Sequence, residues 1–154
     1  MDIKQLDKRP DIEQDKKLLK KFVYCERLIV ELKKREIPSE SVSIVNQNIE
    51  EINSFSGSNK GLGKQIRKSQ SNIFKLLEKE LNLVPKNLYQ TRWMVIGMSV
   101  FGAPLGIAFG TILGNMGLLG IGIPIGMVLG LAIGAGMDKK ALDEGRQLNL
   151  DLNC

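Results

Sequence analysis

No charged residue occurs between Arg92 and Asp138. The 45 residues of this run, 93–137, carry only Ser99, Thr111 and Asn115 as polar side chains. One helix of that length would extend about 67 Å at about 1.5 Å per residue, against a hydrocarbon core about 30 Å thick. The run therefore predicts two crossings of a bilayer, broken at Gly114-Asn115-Met116-Gly117. That division leaves spans of about 93–113 and 118–137, each close to the roughly 20 residues a crossing needs. Burying the run inside a soluble protein would take a shell larger than the 92 residues before it can build.

Twelve of the 16 glycines fall in this run, and their spacing is regular. Gly102, Gly106, Gly110 and Gly114 recur every fourth residue, as do Gly122, Gly126, Gly130 and Gly134. Positions four apart share one helix face, so each span is expected to carry a groove free of side chains. Lipid gives no hydrophobic reason for helices to associate. Close backbone approach, dispersion and Cα–H···O contacts do that instead. Glycine costs roughly 1 kcal/mol relative to alanine in a soluble helix, so eight in register imply a packing gain. Two grooves and one internal contact predict packing both within the hairpin and between copies, hence a homo-oligomer. Pro104 frees the carbonyl of Val100 and is expected to kink the first span. Pro124 comes early in the second, where it is better tolerated. Ser99 and Thr111 are expected to satisfy freed backbone groups rather than face a lumen.

The flanks set an orientation. Lys86 and Arg92 precede the first span, Lys139 and Lys140 follow the second, and the turn carries no charge. Both termini are therefore expected in the cytoplasm, with Tyr89 and Trp93 at the cytoplasmic interface. Residues 1–92 hold 19 of the 22 Lys and Arg and 13 of the 17 Asp and Glu. The net charge of +5 suits anionic lipid beside the spans. A nucleic-acid partner is not expected, because the charges are mixed in sign, aromatics are 5% of residues, and no recognition motif occurs.

Residues 1–10 are polar and end at Pro10, which predicts a disordered tail; they hold no apolar core of a cleavable signal. Three amphipathic helices are expected over 11–89. Asp11 can cap the first, with Glu13 and Asp15 in its first turn. Leu18, Phe22, Cys25, Ile29 and Leu32 then recur at 4-3-4-3 spacing, a heptad seam that ends before Pro38. Ser39 can cap a second helix carrying Val42, Val45, Ile49 and Ile52 inward and Asn46, Gln47, Glu50 and Glu51 outward. After a loop, SFSGSNKGLG, a third helix over about 63–81 has Ile66, Ile73, Leu77 and Leu81 on one side. Lys64, Arg67, Lys68, Lys75 and Lys79 make its flank basic. Three seams in under 80 residues make a thin core, so help from an oligomer or a cytoplasmic protein partner is plausible. The tail over 138–154 is expected to prolong the last helix briefly; its NLDLN pattern could instead add a strand to a partner's edge.

Little in the chain suggests chemistry. Histidine is absent, which removes imidazole metal sites and histidine-based acid–base catalysis. Cys25 and Cys154 lie too far apart in sequence for a metal motif; Cys25 reads as a small buried hydrophobe and Cys154 forms no prenylation signal. The stretch GSNKGLGK imitates a phosphate loop, but Ser58 stands where a glycine is required, Gln65 follows Lys64, and no strand is expected before it. No cofactor, no metal and no enzymatic activity are expected.

The tract GTILGNMGLLGIGIPIGMVLGLAIGAGMDKKALDEGRQL, residues 110–148, resembles a family of small, uncharacterised bacterial glycine-zipper membrane proteins. The preceding ELNLVPKNLYQTRWMVIGMSVFGAPLGIAFG, residues 80–110, is similar to the segment leading into the spans of that group. The resemblance implies membrane location and glycine packing, with no activity attached. The expected architecture is all-α: a cytoplasmic amphipathic helical domain over 11–89, a two-helix transmembrane glycine-zipper hairpin over 90–137, and a cytoplasmic tail. The expected setting is the bacterial inner membrane. The expected role is non-enzymatic: self-association through the glycine helices and partner binding or scaffolding by the cytoplasmic helices. The alternative is a pore-forming effector controlled by the cytoplasmic domain, disfavoured because no polar stripe lines either span.

Overall fold

The computed structural model describes residues 2–9, 12, 14–115, 117 and 119–151. Expectations for Pro10, Asp11, Glu13, Met116, Leu118 and Cys154 lie outside the described residues. The described residues are all-α apart from one small two-stranded parallel sheet. It forms two compact units, one of residues 1–84 and 148–154, the other of residues 85–147.

In the first unit, α1 spans Lys16–Lys33. It starts where the Asp15 carboxylate accepts the N–H groups of Lys17 and Leu18 at 3.0 and 3.1 Å, satisfying donors that a first helical turn leaves free. Leu18, Phe22, Cys25, Ile29 and Leu32 are all buried, and Leu28 joins them. α2, Ser39–Asn53, begins directly after Pro38, so Ser39 lies inside the helix and caps nothing. Val42, Val45, Ile49 and Ile52 are buried along it. α3, Asn59–Leu81, packs on both α1 and α2 and buries Ile66, Ile73 and Leu77. It starts four residues before Gly63, because the Ser58 hydroxyl accepts the N–H of Gly61 at 3.3 Å. The second half of the expected loop is therefore helix.

Two termini differ from expectation. The stretch before Pro10 is no disordered tail: Ile3 and Leu6 are buried in the core. Asn46 and Asn53, seven residues apart on α2, bind its backbone as an adjacent strand would. Asn46 accepts from the Lys4 N–H at 2.7 Å and donates to the Asp2 carbonyl at 3.0 Å. Asn53 accepts from the Asp7 N–H and donates to the Gln5 carbonyl, both at 3.0 Å. Arg9 closes the segment on the carbonyls of Ile52 and Asn53. Asn46 thus faces the N-terminal segment rather than solvent.

The C-terminal stretch is likewise no free tail. Its strand β2, Gln147–Asp151, pairs with β1, Val84–Lys86, of its own chain. Leu148 and Leu150, two apart and so on one strand face, are buried in the same core as Leu83. These termini add the apolar area that three helical seams alone lacked.

Candidate functional site: a glycine-faced hairpin

The second unit is built from α4 (Leu88–Gly97), a π-helical turn (Met98–Gly102), α5 (Ala103–Ile112) and α6 (Leu119–Asp143). Among the described residues, two helices are long and apolar enough to cross a membrane: a continuous one over Leu88–Ile112 and a second over Gly120–Asp143. The first begins earlier than Trp93, and the second outlasts Met137 by more than a turn. Lys86 therefore sits in β1, Tyr89, Arg92 and Trp93 lie in the opening turns of α4, and Lys139 and Lys140 lie in the closing turns of α6.

The glycine stripes meet each other inside one chain. A Cβ built on Gly102 would come within 2.9 Å of the Ile123 Cα and 3.0 Å of the Gly122 carbonyl oxygen. One on Gly122 would strike the backbone of Gly102 and Gly106, and one on Gly126 the backbone of Gly97 and Gly102. At Gly130 it would run into the Trp93 backbone, and at Gly134 into that of Tyr89 and Gln90. Main chain lies against main chain along the contact, which no larger residue permits. Gly106 and Gly110 are both buried on α5.

Two glycines depart from the expected stripe. Gly114 has φ +64° and open space around it; it ends α5 in the left-handed conformation instead of packing. The Asn115 N–H bonds back to the Gly110 carbonyl at 3.0 Å. Conversely, Gly97 belongs to the contact, although it stands five residues before Gly102 and breaks the four-residue repeat. The π-helical turn resolves this. The Ala103 N–H reaches back five residues to the Met98 carbonyl, so the turn holds one residue more than an α-turn. The wider turn brings Gly97 onto the same face as Gly102. Pro104 supplies the cause: it has no N–H for the Val100 carbonyl, and its ring clashes with that carbonyl in a regular helix. The distortion expected at Pro104 is therefore a register correction.

Asp138 is the residue the sequence reading missed. It continues the series Gly122, Gly126, Gly130, Gly134 by four more positions, and it is 7% exposed. Its two carboxylate oxygens accept the N–H groups of Tyr89 at 3.2 Å and Gln90 at 2.9 Å. α4 is preceded by Asn87, at φ 58° and with no side-chain cap of its own. A carboxylate from the other arm therefore caps the helix, where the dipole also favours negative charge. The signal was present as an acidic residue in register with the glycines. Beyond α6, Arg146 donates hydrogen bonds to the Glu144 carboxylate and the Tyr89 hydroxyl, which raise its pKa above the ordinary guanidinium value.

The hydroxyls are turned to backbone. Ser99 Oγ donates to the Val95 carbonyl at 3.0 Å, and Thr111 Oγ1 to those of Ile107 and Ala108 at 3.0 Å. Away from the glycine contact the arms present Val95, Val100, Ile107, Ile121 and Val128, each more than half exposed. No family model, curated protein or solved structure matches the chain.

Proposed function

We propose that this chain is a non-enzymatic integral protein of the bacterial inner membrane, in which the hairpin anchors a helical domain that binds or scaffolds a cytoplasmic protein. One observation carries the reading. The glycine faces fill each other, while the outward faces of both arms are apolar and exposed; isolated exposed apolar residues are ordinary, but two whole helix faces are not. Only 22% of the most apolar stretch of each arm is buried, which fits a lipid-facing pair better than the core helix of a soluble protein.

The Asp138–Gln90 contact ties the two arms at the end where the chain enters and leaves the hairpin. Both flanking segments then emerge on one side of the bilayer. Lys86, Arg92, Lys139 and Lys140 lie near that end and the turn is uncharged, so that side is the cytoplasm. Self-association would have to use the outward faces, because each glycine stripe is occupied by the other. The pore reading gains no support, since the Ser99 and Thr111 hydroxyls bond their own helix and no polar path runs along either arm.

Reconstitution into vesicles tests the reading. The chain should stay with the lipid pellet through an alkaline carbonate wash and release no trapped dye. Extraction by carbonate would refute the anchor, and dye release abolished by Gly126→Leu would favour the pore.

A further inference from the structure

We propose that the exposed cationic face of α3 lies on an anionic lipid surface, a proposal that rests on the membrane reading above and names the second element that touches the bilayer. Lys60, Lys64, Arg67, Lys68, Lys75 and Lys79 are all exposed. At about 100° per residue these six positions fall within about a third of the helix circumference. They run along about 28 Å of helix axis at 1.5 Å per residue. The opposite side of α3 is spent on the core through Ile66, Ile73 and Leu77, so packing does not require the cations.

One carboxylate, Glu78, falls on the same arc, against six cations. Among the described residues, no ion pair within 4.0 Å involves Lys60, Lys64, Arg67, Lys68 or Lys75; only Lys79 pairs, with Glu80 at 3.8 Å. Lys21 of α1 adds to the charge beside Gly63, where a Cβ would lie 3.5 Å from its Nζ. α3 carries a net charge of +4 and α2 of −3, so the positive field is not spread evenly over the unit.

The tether selects lipid as the occupant. α3 ends at Leu81 and the first membrane helix starts at Leu88. Seven residues reach at most about 25 Å at about 3.6 Å each, so the tether keeps the C-terminal end of α3 within that reach of the first membrane helix and raises its effective concentration at the bilayer surface. Anionic headgroups on the cytoplasmic leaflet attract such a face over a Debye length of about 10 Å. A nucleic acid fits less well. The aromatic on this helix, Phe74, packs against the core and lies 6.3 Å from the Tyr24 ring, which leaves no stacking platform.

The test uses the full chain carrying Cys154→Ser and Ser71→Cys, labelled at position 71 with a fluorophore; Cys25 is fully buried and escapes labelling. Ser71 is exposed on the same side of α3 as the cations. The chain is reconstituted in vesicles of phosphatidylcholine alone, or of equal parts phosphatidylcholine and phosphatidylglycerol, each with a headgroup-attached quencher. Quenching should appear in the anionic vesicles and fall by about half or more in 1 M salt, where the Debye length is about 3 Å. It should fall similarly in the Lys64→Gln, Lys68→Gln, Lys75→Gln variant, whose helicity is checked by circular dichroism. Quenching that ignores phosphatidylglycerol, or survives the triple substitution, overturns the proposal. So does salt-sensitive binding of duplex RNA with no response to phosphatidylglycerol. Carbonate extraction of the same vesicles separates the two readings: retained chain with composition-independent quenching refutes only the lipid face of α3, whereas extracted chain refutes the membrane anchor itself.

Discussion

Asp138 accepts the backbone N–H of Gln90 at 2.9 Å, joining the last turns of one arm to the first turn of the other. A carboxylate in register with a glycine stripe closes the open end of the hairpin and caps a helix that has no cap of its own. Replacing a capping side chain with alanine costs about 1 kcal/mol, within a range of about 0.5–2. Asp138→Ala should lower the melting temperature of the chain in detergent micelles accordingly. Asp138→Asn, which keeps an acceptor oxygen but loses the charge, should fall between. Equal melting of all three proteins would remove Asp138 from the account.

Glycine positions within the same helix should respond oppositely. A side chain at Gly126 meets the backbone of Gly97 and Gly102, whereas Gly136 has nothing within 4 Å. Gly126→Leu should separate the arms, at a cost of at least about 2 kcal/mol from overpacking. Gly136→Ala should be neutral or stabilising by up to about 1 kcal/mol. Melting in micelles checks both, and indistinguishable variants would mean that the arms do not touch along this face.

The π-helical turn makes a prediction about register. Deleting Val100 removes one residue between Gly97 and Gly102 and restores the four-residue repeat, so the glycine contact should persist, with Pro104 kinking the first arm against the Ser99 carbonyl. Deleting Val128 instead rotates Gly130 and Gly134 by about 100° relative to Gly126 and should destroy the contact. Carbonate resistance and melting of the two deletions should therefore diverge; equal damage from both would contradict the assignment of the turn as a one-residue insertion.

Glu31 links α1 to β2 by accepting the Asn149 N–H at 3.3 Å and pairing with Lys34 at 3.2 Å. Burial alone would raise its pKa. The hydrogen bonds from Lys34 and Asn149, with the charges of Lys34 and Arg35, outweigh that and hold it below the ordinary 4.5. A carboxyl with a depressed native pKa contributes stability in full above its unfolded value and loses it as pH falls through the native one. The melting difference between the native chain and Glu31→Gln should be constant at neutral pH and shrink below about pH 4.5. A difference that does not change on acidification would show that the carboxylate contributes nothing.

Periodic features were legible in the residues alone. The seam from Leu18 to Leu32, the stripe from Val42 to Ile52 and the four-residue glycine repeats each follow from one local period, and local periods need no knowledge of the rest of the chain. What escaped depends on distant partners or on broken periods. Ile3 and Leu6 sit in a polar segment with no period of their own; they are buried only because Asn46 and Asn53 offer matching hydrogen bonds some forty residues away. Leu148 and Leu150 find their place through pairing with β1. Gly97 was hidden because its spacing of five breaks the repeat until the π-helical turn is known. Asp138 marks only the end of the uncharged run in a sequence reading, whereas its i+4 relation to Gly134 is the informative fact.

The central claim is that residues 88–143 cross a bilayer twice and return to the side they left. Labelling with a membrane-impermeant maleimide in intact bacterial cells tests it most directly, using Asn115→Cys at the turn and Ser43→Cys on α2, each with Cys154→Ser. The account predicts that position 115 is labelled from outside and position 43 only after the membrane is opened. Equal labelling of both positions in intact cells, or recovery of the protein in the soluble fraction, would contradict it.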